Sequence, residues 1–237
     1  MDAAACFREC RSGVAQIRLV VDGQVVGGGT GFLVEDGIVT NSHVVRGTDT
    51  PTLEIGFEDS DPGAPNSFVR VALANVLVSE SPADERNYAY LRLNEPEFEG
   101  RHRFAFVDQG RVAEVGEQVA FMGYPFSMHH LTCHLAFVSS VHDWNGTSVI
   151  QLDGSVNAGN SGGPLVEVAS GRVIGIVTRA HTGLIEDQFR ELIRVLRQNQ
   201  QVLSNTGGAM VSIGGIDPIK SLAASQRLME TIASPSQ

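Results

Sequence analysis

The chain has 237 residues and a formal net charge of −10, with 17 basic and 27 acidic residues. This excess of acid argues against a nucleic-acid partner, because phosphate backbones are bound by clustered lysine and arginine. We also expect no membrane span and no secretory signal, since no apolar run has the required length and the first residues mix acid and base.

Short strand-like segments, separated by Gly, Pro, Asp and Asn, predict an all-β fold between residues 14 and 180. About eleven such segments over this length favour two packed barrels over one sheet. The segments are VAQIRLVVD, GTGFLVED, GIVTNSHVV, TLEIGFED, FVRVALANVLVSE, YAYLRL, EQVAFMGYP, LTCHLAFVSSVHD, TSVIQLD, GPLVEV and GRVIGIVT. We divide the chain into an N-terminal segment (1–13), a first barrel (14–110), a second barrel (111–184) and an extension (185–237).

The extension is predicted to be helical. An amphipathic helix is indicated by the spacing of Ile185, Phe189, Leu192, Ile193 and Leu196. Asp217 and Pro218 then suit an N-cap and a first helical position. The second helix would carry Ile219, Leu222, Met229 and Ile232. These helices are candidates for contacting a partner or an additional domain, and the alternative is that they cover exposed barrel edges.

The three cysteines, Cys6, Cys10 and Cys133, are an odd number. A secreted protein of this size usually has paired cysteines, so the count favours a reducing cytoplasm. The prediction from the cysteines alone is therefore a cytoplasmic location.

The segment SMHHLTCH raises the question of a metal site, because His130, Cys133 and His134 lie close in sequence. In a strand, however, His130 and His134 face one side and Cys133 faces the other. Zinc ligands normally come from two separated pairs. We expect an ordinary passage from loop to strand and no metal.

The glycine-rich segment DGSVNAGNSGGPL, residues 153–165, surrounds Ser161. Gly159, Gly162 and Gly163 can adopt backbone conformations that are closed to other residues. Such a loop can aim successive N–H groups into one concavity, so the amides of Gly159 and Ser161 are candidates to stabilise an oxyanion. The plain alternative is a glycine-rich hairpin that contains an ordinary serine.

Two more segments carry polar residues that their strand patterns do not explain. In GTGFLVEDGIVTNSHVV, residues 29–45, His43 follows a strand on a short loop and can reach across a cleft. Considered by itself, such a histidine is more often a surface or capping residue than a catalytic base. In ERNYAYLRL, residues 85–93, Asn87 stands at the head of a strand that does not need an amide there.

These segments resemble the chymotrypsin-fold (trypsin-like) serine proteases, and are most similar to their HtrA-like bacterial branch. The resemblance covers residues 14–180 and implies two six-stranded antiparallel β-barrels with the active site between them. It implies that His43 is the general base and Ser161 the nucleophile, that the oxyanion hole is formed at Gly159, Asn160 and Ser161, and that Ser155, Thr178 and Ala180 line the substrate pocket. It further implies a protein or peptide substrate and no cofactor.

The same resemblance requires an acid at the head of a strand of the form D-x-A-x-L-x-L, and the matching residue here is Asn87. An aspartate accepts the His43 Nδ1–H and leaves Nε2 bare, whereas an asparagine that presents its NH₂ keeps the proton on Nε2. Three explanations stay open: an introduced substitution, a natural asparagine in a weak or inactive enzyme, or replacement by Asp84 or Glu85.

The sequence therefore predicts a serine endopeptidase that acts through an acyl-enzyme intermediate and is weakened or silenced by Asn87. The uncharged Ser155 at the pocket floor gives no reason to expect cleavage after Arg or Lys, and favours a small or medium apolar side chain. The alternative function is an inactive pseudoprotease whose cleft binds a peptide or a partner.

Overall fold

The structure is a computed structural model. It describes residues 1–46, 52–61, 63, 67–82, 85–93, 95–125, 128–144 and 146–178, and the backbone of a strand at 227–230. The helices are α1 (Ala3–Cys10), α2 (Ser42–Val45) and α3 (Leu73–Val76), with 3-10 turns at Arg11–Gly13 and Pro96–Phe98. The strands are β1 (Val14–Val21), β2 (Gln24–Val34), β3 (Gly37–Thr40), β4 (Thr52–Gly56), β5 (Val69–Ala72), β6 (Leu77–Ser81), β7 (Tyr88–Arg92), β8 (Gln118–Gly123), β9 (Thr132–Trp144), β10 (Thr147–Leu152), β11 (Pro164–Glu167), β12 (Val173–Ile176) and β13 (Arg227–Glu230).

The first sheet has seven strands in the order β5-β4-β1-β2-β3-β7-β6. A two-residue turn joins β1 to β2, and both of its residues, Asp22 and Gly23, have positive φ, as tight antiparallel hairpins require. Apolar side chains on the inner face of the sheet form a buried core that includes Ile17, Leu33 and Leu91. This core fixes the ends of β3 and β7, where His43 and Asn87 follow and precede the strands.

The second sheet has the order β12-β11-β8-β9-β10-β13. Its own core includes Val119, Phe121 and Leu165. The segment between β10 and β11 leaves this core as a loop and returns at Pro164. This loop contains Ser161, and we call it the serine loop.

A third apolar cluster, which we call the interface core, joins the two sheets. It contains Phe32 and Val39 from the first sheet and Met122 and Val166 from the second. Because protein interiors are closely packed, this cluster fixes the relative position of the two sheets and of the loops at their shared edge. Side chains from distant parts of the chain can therefore be held at fixed distances there.

The interface core also receives helix α1. Asp2 caps this helix by accepting from the amide of Ala5, and the thiols of Cys6 and Cys10 are completely buried. Cys133 packs against the same cluster, and burial raises the pKa of its thiol to about 11. All three cysteines thus contribute to packing between α1 and the second sheet.

The predicted all-β fold with two curled antiparallel sheets is confirmed, although the sheets have seven and six strands instead of six each. The predicted second C-terminal helix is wrong at Arg227–Glu230, which form a strand. The strand order places this segment beside β10, where an exposed sheet edge offers hydrogen bonds that helical periodicity does not reveal. The rest of 185–237 lies outside the described residues, and the predicted domain boundaries stay predictions.

Candidate active site

His43 is presented to solvent by the short helix α2. Asn41 precedes this helix in an extended conformation, and the helix buries Ser42, Val44 and Val45 while His43 stays exposed. Three buried neighbours hold the backbone, so the imidazole is the one side chain of this turn that faces outward. The exposed imidazole meets the requirement for a group that exchanges a proton with a substrate.

Asn87 is buried, with 1% of its surface exposed, and its backbone has a positive φ of 53°. Asparagine tolerates this left-handed conformation better than most residues. The backbone is held on both sides: its N–H donates to the Pro82 carbonyl at 2.9 Å, and its carbonyl accepts from Nδ2 of Asn41 at 2.7 Å. The side chain is thereby aimed at His43.

Two atoms of the Asn87 amide lie within hydrogen-bonding distance of His43 Nδ1. The amide nitrogen Nδ2 is 2.8 Å from Nδ1, and the oxygen Oδ1 is 3.1 Å from it. Oδ1 also accepts from the backbone N–H of His43 at 3.2 Å. Because that N–H can only donate, it requires the oxygen at this position and fixes which way the amide faces.

Thr178 connects Asn87 to Ser161. Its hydroxyl accepts from Asn87 Nδ2 at 2.6 Å, and its carbonyl accepts from Ser161 Oγ at 3.3 Å. Only 3% of its surface is exposed. The structure thus brings the predicted base, the asparagine and the serine together around this threonine, whose hydroxyl accepts from Asn87. The predicted place of Thr178 in a substrate pocket stays a prediction.

The loop around Ser161 depends on glycine at two positions. Gly159 and Gly162 have φ values of 97° and 85°, and a Cβ on Gly162 would lie 2.1 Å from the Thr30 carbonyl oxygen. The N–H of Asn160 donates to Asn157 at 3.1 Å, so this amide is used within the turn and does not fit the predicted oxyanion hole. In the described part of the chain, the amides of Gly159 and Ser161 donate to no backbone carbonyl.

The structure says less about the other predicted pocket residues and about the candidate replacement acids. Ser155 is exposed, and Ala180 lies outside the described residues. Among the candidates for a replacement acid, Glu85 accepts from Ser81 Oγ at 3.1 Å, while Asp84 lies outside the described residues. Glu85 is therefore engaged beside β6, and the structure gives no support for its acting on His43.

The candidate metal ligands have other surroundings. His134 stacks on Phe121, with ring centroids 4.7 Å apart, and His130 is exposed. Within the described ranges, no three His, Cys, Asp or Glu side chains are grouped to hold an ion.

Comparison with known proteins assigns the chain to a family. A family model for the trypsin-like peptidase domain matches residues 29–176. The chain belongs to this family. The match includes His43, Asn87 and Ser161, so the residues that the structure brings together lie inside the peptidase domain.

The relatives of this trypsin-like protease are of the HtrA type. It is 32% identical over 158 residues to a probable periplasmic serine endoprotease DegP-like from Bartonella henselae. The aligned residues cover 63% of this chain and 27% of the relative. It is 29% identical over 172 residues to the chloroplastic Protease Do-like 1 of Arabidopsis thaliana, covering 66% and 34%. The chain therefore spans about a third or less of the length of these relatives.

Solved protease structures have the same fold. A serine endoprotease from Yersinia pestis matches with a TM-score of 0.59 and 19% identity, covering 78% of this chain and 60% of that one. The active form of the Rv3671c protease from M. tuberculosis matches with a TM-score of 0.57 and 25% identity, covering 76% and 77%.

The comparisons contradict the predicted cytoplasmic location, since several relatives of this trypsin-like protease are named periplasmic. The cysteine count misled because Cys6 and Cys10 are completely buried, and thiols that are sealed in a core need not pair to persist outside the cytoplasm. In the described residues, no helix is long and apolar enough to cross a membrane.

The sequence reasoning missed three residues of the site: Asn41, the hydroxyl of Thr178, and Thr30, which contacts the serine loop. Asn41 stands two positions before His43, and a polar residue that close to a candidate base was a usable indication. Thr30 and Thr178 lie in strand-like segments, where β-branched residues are common, and nothing in the sequence distinguishes them.

Proposed function

We propose that this chain is a serine endopeptidase unit in which Ser161 forms an acyl-enzyme with a peptide substrate, and that Asn87 weakens its catalysis. The family membership and the contacts that link His43, Asn87, Thr178 and Ser161 support this proposal. The names of the relatives favour protein substrates and a location outside the cytoplasm, as in the periplasm of bacteria.

In the proposed reaction, Ser161 Oγ attacks the carbonyl carbon of the scissile peptide bond and His43 Nε2 takes the serine proton. The carbonyl oxygen becomes an oxyanion, and the amides of Gly159 and Ser161 are placed to stabilise it. His43 then gives the proton to the leaving amine, and water releases the acyl group by the same steps. Both attacks, first by Ser161 Oγ and later by water, require Nε2 to be unprotonated when they begin.

The observation that carries the proposal of weakened catalysis is the 2.8 Å distance from Asn87 Nδ2 to His43 Nδ1. The oxygen is farther from Nδ1, at 3.1 Å, and already accepts from the backbone N–H. Nδ2 has two hydrogens, one directed at Thr178 and one available to Nδ1. If Nδ1 accepts it, the single proton of the neutral imidazole lies on Nε2, where it blocks transfer from Ser161.

A fluorophosphonate probe tests whether Ser161 is the nucleophile. We expect slow labelling of the chain, located at Ser161 by peptide mass spectrometry, because the oxyanion donors and the serine remain in place. The Ser161→Ala variant should not be labelled, whereas Ser139→Ala, which removes another serine hydroxyl, should be labelled like the parent. Equal labelling of the parent and the Ser161→Ala variant would remove the basis for the proposed chemistry.

The second candidate function is a pseudoprotease that binds a peptide or partner in the same cleft, which the Asn87–His43 contact favours. The two functions differ in what a carboxylate at position 87 does. A peptidase gains turnover from it, whereas a binding module keeps its affinity for the partner and gains no cleavage.

A further inference from the structure

The buried threonine Thr30, on β2, makes four hydrogen bonds around the serine loop. Its N–H donates to the Ser161 carbonyl at 2.9 Å, and its hydroxyl donates to the Gly159 carbonyl at 2.7 Å. Its hydroxyl oxygen accepts from the Tyr124 amide at 3.0 Å, and its carbonyl accepts from the Thr40 hydroxyl at 2.7 Å. The residue is 0% exposed, so none of these bonds competes with bulk water.

The direction of the Thr30 hydroxyl is determined by its neighbours. The Tyr124 amide can only donate, so the hydroxyl oxygen is its acceptor. The single hydroxyl proton is therefore donated to the Gly159 carbonyl. A valine at this position would keep the shape of the side chain but leave both Gly159 and Tyr124 without these partners.

The two residues that Thr30 holds are those whose amides are proposed to stabilise the oxyanion. Gly159 has a φ of 97° and no side chain to restrict it, and glycine has more accessible backbone conformations than any other residue. A donor carried by glycine therefore needs an external restraint to keep its direction. The Thr30 hydroxyl supplies a restraint of this kind from the first sheet, because it holds the Gly159 carbonyl, on the peptide that follows the Gly159 amide. The first sheet also carries His43 and Asn87.

We propose that Thr30 is a positioning residue for the oxyanion hole: its hydroxyl holds the Gly159 carbonyl and its N–H holds the Ser161 carbonyl, and these two bonds restrict rotation of the backbone on which the Gly159 and Ser161 amides lie. The role rests on the proposed peptidase function. The hydroxyl contributes to the rate through the geometry of the two amides and makes no contact with the substrate.

The kinetic test uses the Asn87→Asp variant as the parent, because it is expected to have measurable turnover. Adding Thr30→Val should lower kcat about 100-fold, as expected for a displaced oxyanion donor, and change KM little. Affinity for a peptide boronic acid, which mimics the tetrahedral intermediate, should fall by the same factor as kcat/KM. Thr30→Ser, which keeps the hydroxyl, should stay near the parent in all three quantities.

The control is Ser139→Ala, which removes a hydroxyl that donates to the Gln151 carbonyl at 3.0 Å within the second sheet. Its kcat should stay near that of the parent. If Ser139→Ala and Thr30→Val lose kcat equally, or if Thr30→Val loses none, Thr30 is not a positioning residue. Thr30→Ala replaces Thr30→Val if circular dichroism shows that the valine variant is unfolded.

A second measurement does not depend on activity. In the chain with Asn87, Thr30→Val should shift the ¹⁵N–¹H resonances of Gly159 and Ser161, and Thr30→Ser should leave both near their original positions. If the Asn87→Asp parent has no turnover, the proposed function fails and these spectra alone decide the role of Thr30. Unshifted Gly159 and Ser161 resonances in Thr30→Val would overturn it.

Discussion

Replacing Asn87 by aspartate is expected to raise kcat for peptide hydrolysis by about 10⁴-fold, which corresponds to about 5 kcal/mol of activation free energy. The magnitude is that of the reverse change in a protease of the same fold, where aspartate to asparagine leaves the geometry intact. The carboxylate accepts from Nδ1–H, from the His43 backbone N–H and from the Thr178 hydroxyl, whose proton can rotate towards it. Steady-state cleavage of a fluorogenic peptide library measures the gain.

The control for this prediction is Asn87→Ala, which removes the amide donor without supplying an acceptor. Its rate should stay within about tenfold of the chain with Asn87, because a charged acceptor is needed to stabilise the imidazolium. If Asn87→Asp is no faster than Asn87→Ala, position 87 does not control the base.

The second large effect is that the loss of kcat caused by removing His43 depends on which residue stands at position 87. In the Asn87→Asp variant, His43→Ala should lower kcat by about 10⁴-fold or more, because residues of a triad act as one unit. In the chain with Asn87, the same substitution should cost less than about tenfold, since an imidazole that is protonated on Nε2 cannot take the serine proton. The four rates form a double-mutant cycle, and their ratio gives the coupling between the two side chains.

This cycle distinguishes two explanations of weak catalysis by the chain with Asn87: a wrong tautomer of His43 and a distorted active site. A site distorted by Asn87 would still lose activity when His43 is removed, because a competent base would still contribute. Equal losses in the two backgrounds would therefore show that Asn87 leaves the base working, and would contradict the tautomer account. Circular dichroism of all four proteins checks that each is folded.

The sequence was sufficient for the parts of the site that depend on backbone pattern. Gly159 and Gly162 occupy left-handed conformations that the glycine-rich segment predicted, and His43 and Asn87 flank strands whose alternation was visible in the sequence. Their approach to Ser161 followed from the resemblance, since three segments separated by tens of residues meet only after both sheets pack.

The side-chain contacts could not be predicted in this way. The partner of the Asn87 amide is Thr178, 91 positions away, and the tether of Gly159 is Thr30, 129 positions away. Hydrophobic periodicity reports which face of a strand is buried but not which hydroxyl on that face finds a carbonyl or an amide. The strand at Arg227–Glu230 was missed for a related reason, because pairing with a sheet edge is decided by the partner strand.

The predicted cytoplasmic location was wrong because it depended on the number of cysteines and not on their burial. An odd number of cysteines indicates a reducing compartment only if the thiols are accessible, and the sequence does not show that Cys6 and Cys10 face the interface core.

The tautomer of His43 is the most direct test of the account. We expect ¹⁵N NMR of imidazole-labelled protein at a pH where His43 is neutral to show the proton on Nε2 and an accepting Nδ1 in the chain with Asn87. The Asn87→Asp variant should show the proton on Nδ1 instead. An Nδ1-protonated imidazole in the chain with Asn87 would mean that the amide oxygen orients the base correctly, and the proposed cause of weak catalysis would be wrong.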